Sequence, residues 1–271
     1  MPVSASLTVF YNFVEKILIR RHLVWTFVVR DLRGRYVGSL MGLFWSVIHP
    51  FVLLLSYNFV FSIVLQMKLR SGPTDNFSLF LFCGLLPWLY FQDTVMRSCT
   101  SVVDQRNLVQ RTLFPSEILP ITMALSNLVT HLLGTAILLL VLVYLGLLGS
   151  ASMLFPFTLL PLILFALGIG WLAAALQVFL RDTVQILTVL LTLWFWFTPV
   201  FYQMDMVPES LRVVMRLNPL THVVEINRSL FLENRVPDLE SWVILAGSSA
   251  LTILLGGVVF RKTKREFVDV L

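Results

Sequence analysis

Residues 30–50, RDLRGRYVGSLMGLFWSVIHP, decide the fold. Arg30, Asp31, Arg33 and Arg35 place four charges within six residues, and 32 uncharged residues follow before Lys68. A bilayer crossing needs about 20 apolar residues. A hydrated, mostly basic collar therefore runs straight into a stretch long enough to cross. Arginines at the end of such a stretch favour the cytoplasmic side.

Working outward, the whole chain has the same character. Of 271 residues, 58% are hydrophobic and 13% are charged, with a mean hydropathy of +0.86. Soluble domains carry about 25% charge, so lipid is the solvent this surface suits. The formal charge of +5 does not point to nucleic acid, because the basic residues gather at the ends of apolar runs. Cys83 and Cys99 are too few for a disulfide framework or a four-ligand metal site. On one helix they would stand about 24 Å apart, so they read as two inert thiols. Leu23–Val29 is short, closes on Arg30 and lacks a small-residue cleavage pattern, which argues against a cleaved leader.

Ahead of the collar, Leu7, Phe10, Tyr11, Val14, Ile17 and Leu18 recur at helical spacing opposite Thr8, Asn12, Glu15, Lys16 and Arg20. Residues 1–35 thus read as an interface segment led by an amphipathic helix, against lipid or against the protein's own inner ends. Spans are expected over 36–67, 76–96, 118–147, 154–180, 183–204 and 241–260, with tilt or a kink at Pro50 in the first. Residues 97–117 form a polar connection and 205–240 an outer region. With six spans, 14 basic residues fall on the side of the termini and 6 on the other. That bias puts both termini in the cytoplasm.

The outer region mixes six acids and four arginines, and Asn218-Pro219 splits it. Pro208–Leu217 and Leu220–Asn234 each read as a helix too short and too charged to span. Ser116 before an apolar run marks a helix start, with a short helix expected before Pro115.

Several chemistries are absent. No G-x-x-x-x-G-K-[ST] loop binds nucleotide, no H-E-x-x-H binds zinc and no G-x-S-x-G supplies a nucleophile. His22, His49, His131 and His222 are scattered, and paired carboxylates within the spans are missing. An ion-driven carrier needs ionisable groups at depth, so energy, if used, comes from a partner. The aromatics Trp88, Tyr90 and Phe91, and Trp194 to Phe197 with Phe201 and Tyr202, are placed at the outer ends of the second and fifth spans. They read either as a headgroup-level belt or as a passage wall. Successive helical residues point about 100° apart, so Trp194, Trp196 and Phe197 cannot all face lipid.

These residues resemble the permease subunits of type-2 ABC exporters of polysaccharides and polyol phosphates, which include O-antigen, capsule and teichoic-acid permeases. The resemblance rests first on Arg30, Asp31, Leu32, Arg33, Arg35, Tyr36, Ser39, Met41, Gly42, Trp45 and Pro50. It continues through NLVQRTLFPSEILP (Asn107 to Pro120), Arg181-Asp182, Thr198-Pro199-Val200, Asn218-Pro219-Leu220 with Arg228, and the tail FRKTKREFVDVL. It implies an all-α integral membrane protein with six transmembrane helices, an N-terminal amphipathic interface helix and short outer gate helices between spans five and six. It further implies a homodimer with two ABC ATPase subunits that hold the ATP and magnesium. This chain would bind no cofactor or metal itself and would catalyse nothing. Arg106, Asn107, Leu108, Arg111, Phe114 and Pro115 would contact the ATPase, and Asn218, Pro219 and Arg228 would belong to the gate. Cargo would be a lipid-linked glycan, foremost O-antigen, crossing the bacterial inner membrane. Teichoic acid, capsule, a drug or a small lipid are the alternatives within the same fold.

Overall fold

The computed structural model describes residues 20–36, 44–66, 76–111 and 114–271. The amphipathic segment expected before Arg20 lies outside the described residues. Among those described, every regular element is helical. The elements are α1 (Arg21–Tyr36), α2 (Trp45–Asn58, continuing as a π-helical turn Phe59–Val64), α3 (Phe77–Asp104), α4 (Arg106–Arg111) and α5 (Ile118–Tyr144). After a 3₁₀ turn, Ser150–Leu154, follow α6 (Phe155–Phe179), α7 (Thr183–Trp196), α8 (Glu209–Arg216), α9 (Pro219–Phe231), α10 (Leu239–Thr263) and α11 (Phe267–Val270).

Among the described residues, four stretches are long and apolar enough to cross a membrane: Phe77–Asp104, Ile118–Tyr144, Ser150–Phe179 and Leu239–Thr263. The expected crossings at 36–67 and 183–204 appear as shorter apolar helices, Phe51–Val64 and Thr183–Trp196. The second of these ends eight residues before its expected boundary. The backbone turns at Thr198-Pro199-Val200, where Val200 N–H reaches the Thr198 carbonyl at 2.7 Å and Pro199 has no N–H to extend the ladder.

α3 is the central element. Asn76 caps it by accepting from the N–H groups of Ser78 and Leu79 at 3.0 and 3.4 Å. It runs on to Asp104, well past the expected end at 96, so Trp88 and Phe91 sit in mid-helix and not at an outer end. Cys83 and Cys99 both lie on it as buried free thiols. α5 and α6 pack beside it, and α10 closes on α6 through a near backbone contact. A Cβ added to Gly168 or to Gly256 would fall inside the other helix's backbone. Small residues at such a crossing let helices associate in lipid, where apolar packing has no water to escape. Ser249 Oγ adds a 2.7 Å hydrogen bond to the Pro161 carbonyl across the same pair. The outward faces stay apolar: Leu140, Phe157, Val189 and Leu251 are all exposed.

Candidate functional site

Two junctions gather the residues that the sequence singles out, one at each end of the bundle. At the end away from the collar, α9 grips the turn after α7 twice. Asn218 is the N-cap of α9, accepting from Leu220 N–H at 3.1 Å. Its same oxygen accepts the Trp194 indole N–H at 2.9 Å, and its amide donates to Thr198 Oγ1 at 3.0 Å. Ten residues along α9, Arg228 is 6% exposed and donates to the Pro199 and Val200 carbonyls, each at 2.7 Å. Its guanidinium also lies 3.4 Å from the centre of the Phe80 ring. A buried cation is tolerable only when its donors are used, and here they close a peptide turn. Gly84 makes this approach possible: a Cβ there would stand 3.0 Å from an Arg228 nitrogen and 3.4 Å from the Val200 Cα. Burial pushes the Glu225 carboxyl, also on α9, above the usual carboxylate range, while His222, Arg228 and Arg216 pull it back.

Behind this clamp runs an aromatic seam. Phe91 meets Phe165 at 5.4 Å and Trp194 at 5.1 Å, and Trp88 meets Phe195 at 5.1 Å. Phe201 joins it to Tyr57 and Phe61 on α2, each at 4.8 Å. The pathway candidates therefore separate into two groups. Trp88, Tyr90 and Phe91 are fully buried and Trp194 partly so, whereas Trp196 and Phe197 are 54% and 52% exposed. Tyr202 donates its hydroxyl to the Trp196 carbonyl at 2.6 Å.

At the collar end, Asp31 holds α1 to the bundle. Arg35 bonds it from one turn away at 2.9 Å, and Arg97 of α3 donates to its other oxygen. Both arginines converge on the Asn127 side-chain oxygen of α5, Arg35 at 2.8 Å and Arg97 at 3.1 Å. Arg30 reaches toward α4: it lies 4.1 Å above the Phe27 ring and donates to Gln105 at 3.4 Å. Phe27 in turn packs on Phe114 at 5.2 Å. Arg33 points outward, and only the backbone of Tyr36 is described.

The collar and the short helix α4 are thus one assembly. On α4, Arg106, Asn107 and Gln110 are exposed, Leu108 is half-buried and Val109 is buried, so one face is held and the other is free. The Arg111 side chain is outside the described residues, and Phe114 and Pro115 are half-buried behind the helix. The tail closes the junction from below. Phe267 of α11 is fully buried against Phe260 and Phe179, and Lys264 pairs with the buried Glu117 at 3.0 Å.

Residues 22–232 match the model of the ABC-2 type transporter membrane family, and that match takes in the α9 clamp and the collar with α4. The chain belongs to the ABC-2 type transporter family. Over 268 residues it is 31% identical to the O-antigen export system permease protein RfbA of Myxococcus xanthus, covering 95% of this chain and 98% of that protein. It is 28% identical to the protein of the same description from Klebsiella pneumoniae, over 89% and 92%. The polysialic acid transport protein KpsM of Escherichia coli is 23% identical over 88% and 92%.

For this ABC-2 family member, the sequence motifs hold Arg228 with its partners Pro199 and Val200, and Arg35 with its partner Asp31, but not Phe80 or Asn127. No group of three or more metal-ligating side chains occurs among the described residues.

Proposed function

We propose that this chain is the permease of an ATP-driven exporter that moves a lipid-linked polysaccharide, most specifically an O-antigen, across the bacterial inner membrane. The observation that carries the reading is the near full-length likeness to an O-antigen export permease. The working unit is two copies of this chain with two ABC ATPase subunits, which hold the ATP and magnesium. Both termini face the cytoplasm, and α2 and α7, the latter with its following turn, complete six crossings.

The geometry supports a division of labour. Arg106, Asn107 and Gln110 offer a free polar face at the collar end for the ATPase, backed by Val109, Phe27 and Phe114. A push on α4 passes through Gln105 and Arg30 to α1, and through Asp31 to Arg97 on α3. α3 carries the motion to the far end, where Phe80 and Gly84 meet Arg228. Trp196 and Phe197, exposed on a single chain, would line the passage between two copies. Trp88, Phe91 and Trp194 form the wall behind them. Flat aromatic faces suit sugar rings sliding past, because stacking imposes no strict hydrogen-bond register.

Deleting the gene and following the glycan tests this. Polysaccharide should build up inside the cell and vanish from the surface, and the wild-type chain should restore it. Normal surface glycan together with new drug sensitivity would assign the chain a different cargo.

A further inference from the structure

A cleft of about 230 Å³ opens between the end of α1, the start of α2, the middle of α3 and the middle of α5. None of its described lining residues comes from α6, α7 or α9, so it is separate from the aromatic seam and the α9 clamp. The polar groups in it are unusual for a membrane depth. His131 is 4% exposed, yet neither ring nitrogen makes a hydrogen bond among the described residues. Asp93 opens into the cleft without an ion pair or hydrogen bond among the described residues. Such groups in a membrane segment are costly and need partners.

The placement says where a partner would come from. Asp93 lies 16 residues beyond Phe77, about 24 Å along α3. With a hydrocarbon core of about 30 Å, it sits near the headgroup level of the leaflet on the collar side. Next to the lining residues Trp45 and His131, Phe44 and Leu132 are 71% and 41% exposed, so the flanks are apolar. A polar cleft that reaches from this level inward to His131, with apolar flanks, fits an amphipathic occupant entering from the bilayer.

Charge selects among lipids. The titratable groups facing the cleft are Arg35 from α1, His49 from α2, Tyr90 and Asp93 from α3 and His131 from α5. Among the described lining residues, the guanidinium is already shared with Asp31 and Asn127, and the carboxylate makes no ion pair. A headgroup bearing only negative charge would meet Asp93 with a single, partly engaged cation to offset it. A headgroup with both a phosphate and a primary ammonium satisfies both signs.

We propose that this cleft binds the headgroup of an aminophospholipid. Its phosphate oxygens accept from Arg35 and His49, and its ammonium donates to Asp93. The lipid would fasten α1 and α2 to α3 and α5 beside the collar. This inference rests on the chain's membrane residence, not on its cargo.

Native mass spectrometry of the full chain in mild detergent tests it. The chain is offered phosphatidylethanolamine, phosphatidylglycerol, phosphatidylcholine and a polyprenyl phosphate in turn. Phosphatidylethanolamine should be retained about tenfold or more over the others, and Asp93→Asn should remove that preference. Thr130→Leu fills the same cleft without touching an ion pair and should lower retention too, with an unchanged elution profile showing that it folds. Equal retention of all lipids, preference for the polyprenyl phosphate, or a preference surviving both substitutions overturns the proposal. So does a Trp45→Cys variant that cross-links two copies while no lipid is kept, since the cleft then belongs to a second chain.

Discussion

The Trp194 indole donates its N–H to the side-chain oxygen of Asn218 at 2.9 Å, joining the end of α7 to the cap of α9. That oxygen also caps α9 itself, so one atom fixes both the start of α9 and the orientation of the Trp194 ring. Trp194→Phe keeps the ring and removes the donor. Export should fall several-fold while the amount of inserted protein is unchanged. Equal losses of both would reduce Trp194 to packing.

Arg228 bears a heavier load. Arg228→Met keeps most of the volume but leaves the Pro199 and Val200 carbonyls without their donors. Hydrogen bonds to a charged group contribute about 1.5–3 kcal/mol each, so the thermal midpoint in detergent should drop clearly. Arg228→Lys should recover only part of it, because an ammonium does not present the paired donors of a guanidinium. A lysine variant as stable as wild type would show that charge, not geometry, holds the turn.

Glu225 gives a pH signature. Burial raises its carboxyl in the folded chain, so the folded state holds its proton to higher pH than the unfolded chain does. Ionised Glu225 therefore lowers stability above the usual carboxylate range. Glu225→Gln should raise the thermal midpoint near neutral pH, and the gain should fade as pH falls to that range. A gain that grows on acidification would reverse the sign and refute the assignment.

At the other end, Asp31 and Arg97 are 15% and 30% exposed, so their pair contributes about 1 kcal/mol. A double-mutant cycle with Asp31→Asn and Arg97→Gln should show coupling of that order by thermal unfolding. Additive losses would mean that α1 is held by Arg35 and Phe27 alone.

Much of this was legible beforehand. The collar, the four long apolar helices, the breaks between 147 and 154 and at Asn218-Pro219, and the two short helices beside the latter all follow from charge gaps and turn residues. Helix ends were less so. α3 runs on to Asp104 because Arg97, Ser98 and Ser101 are compatible with a helix, although their polarity reads as a loop. The aromatics were harder still. Residue type does not separate the buried Trp88 from the exposed Trp196, since only the packing of α3 against α6 and α7 sorts them. Partners far apart in sequence, such as Arg228 with Phe80 or Lys264 with Glu117, leave no local pattern.

The sorted aromatics make a matched pair of substitutions informative. Trp88→Ala should lower stability by about 3 kcal/mol or more through the cavity it leaves. Trp196→Ala should leave the thermal midpoint unchanged and slow export. The opposite pattern would place the passage behind α3.

The central claim is that an ATPase drives polysaccharide through this chain. Its most direct test uses inside-out vesicles carrying the chain with the ATPase that co-purifies with it, loaded on the outside with lipid-linked glycan. Adding ATP should move the glycan into the lumen, out of reach of an added glycosidase. Arg106→Glu should abolish both the co-purification and the protection. Protection that arises without ATP, or that survives loss of the ATPase, would contradict the account.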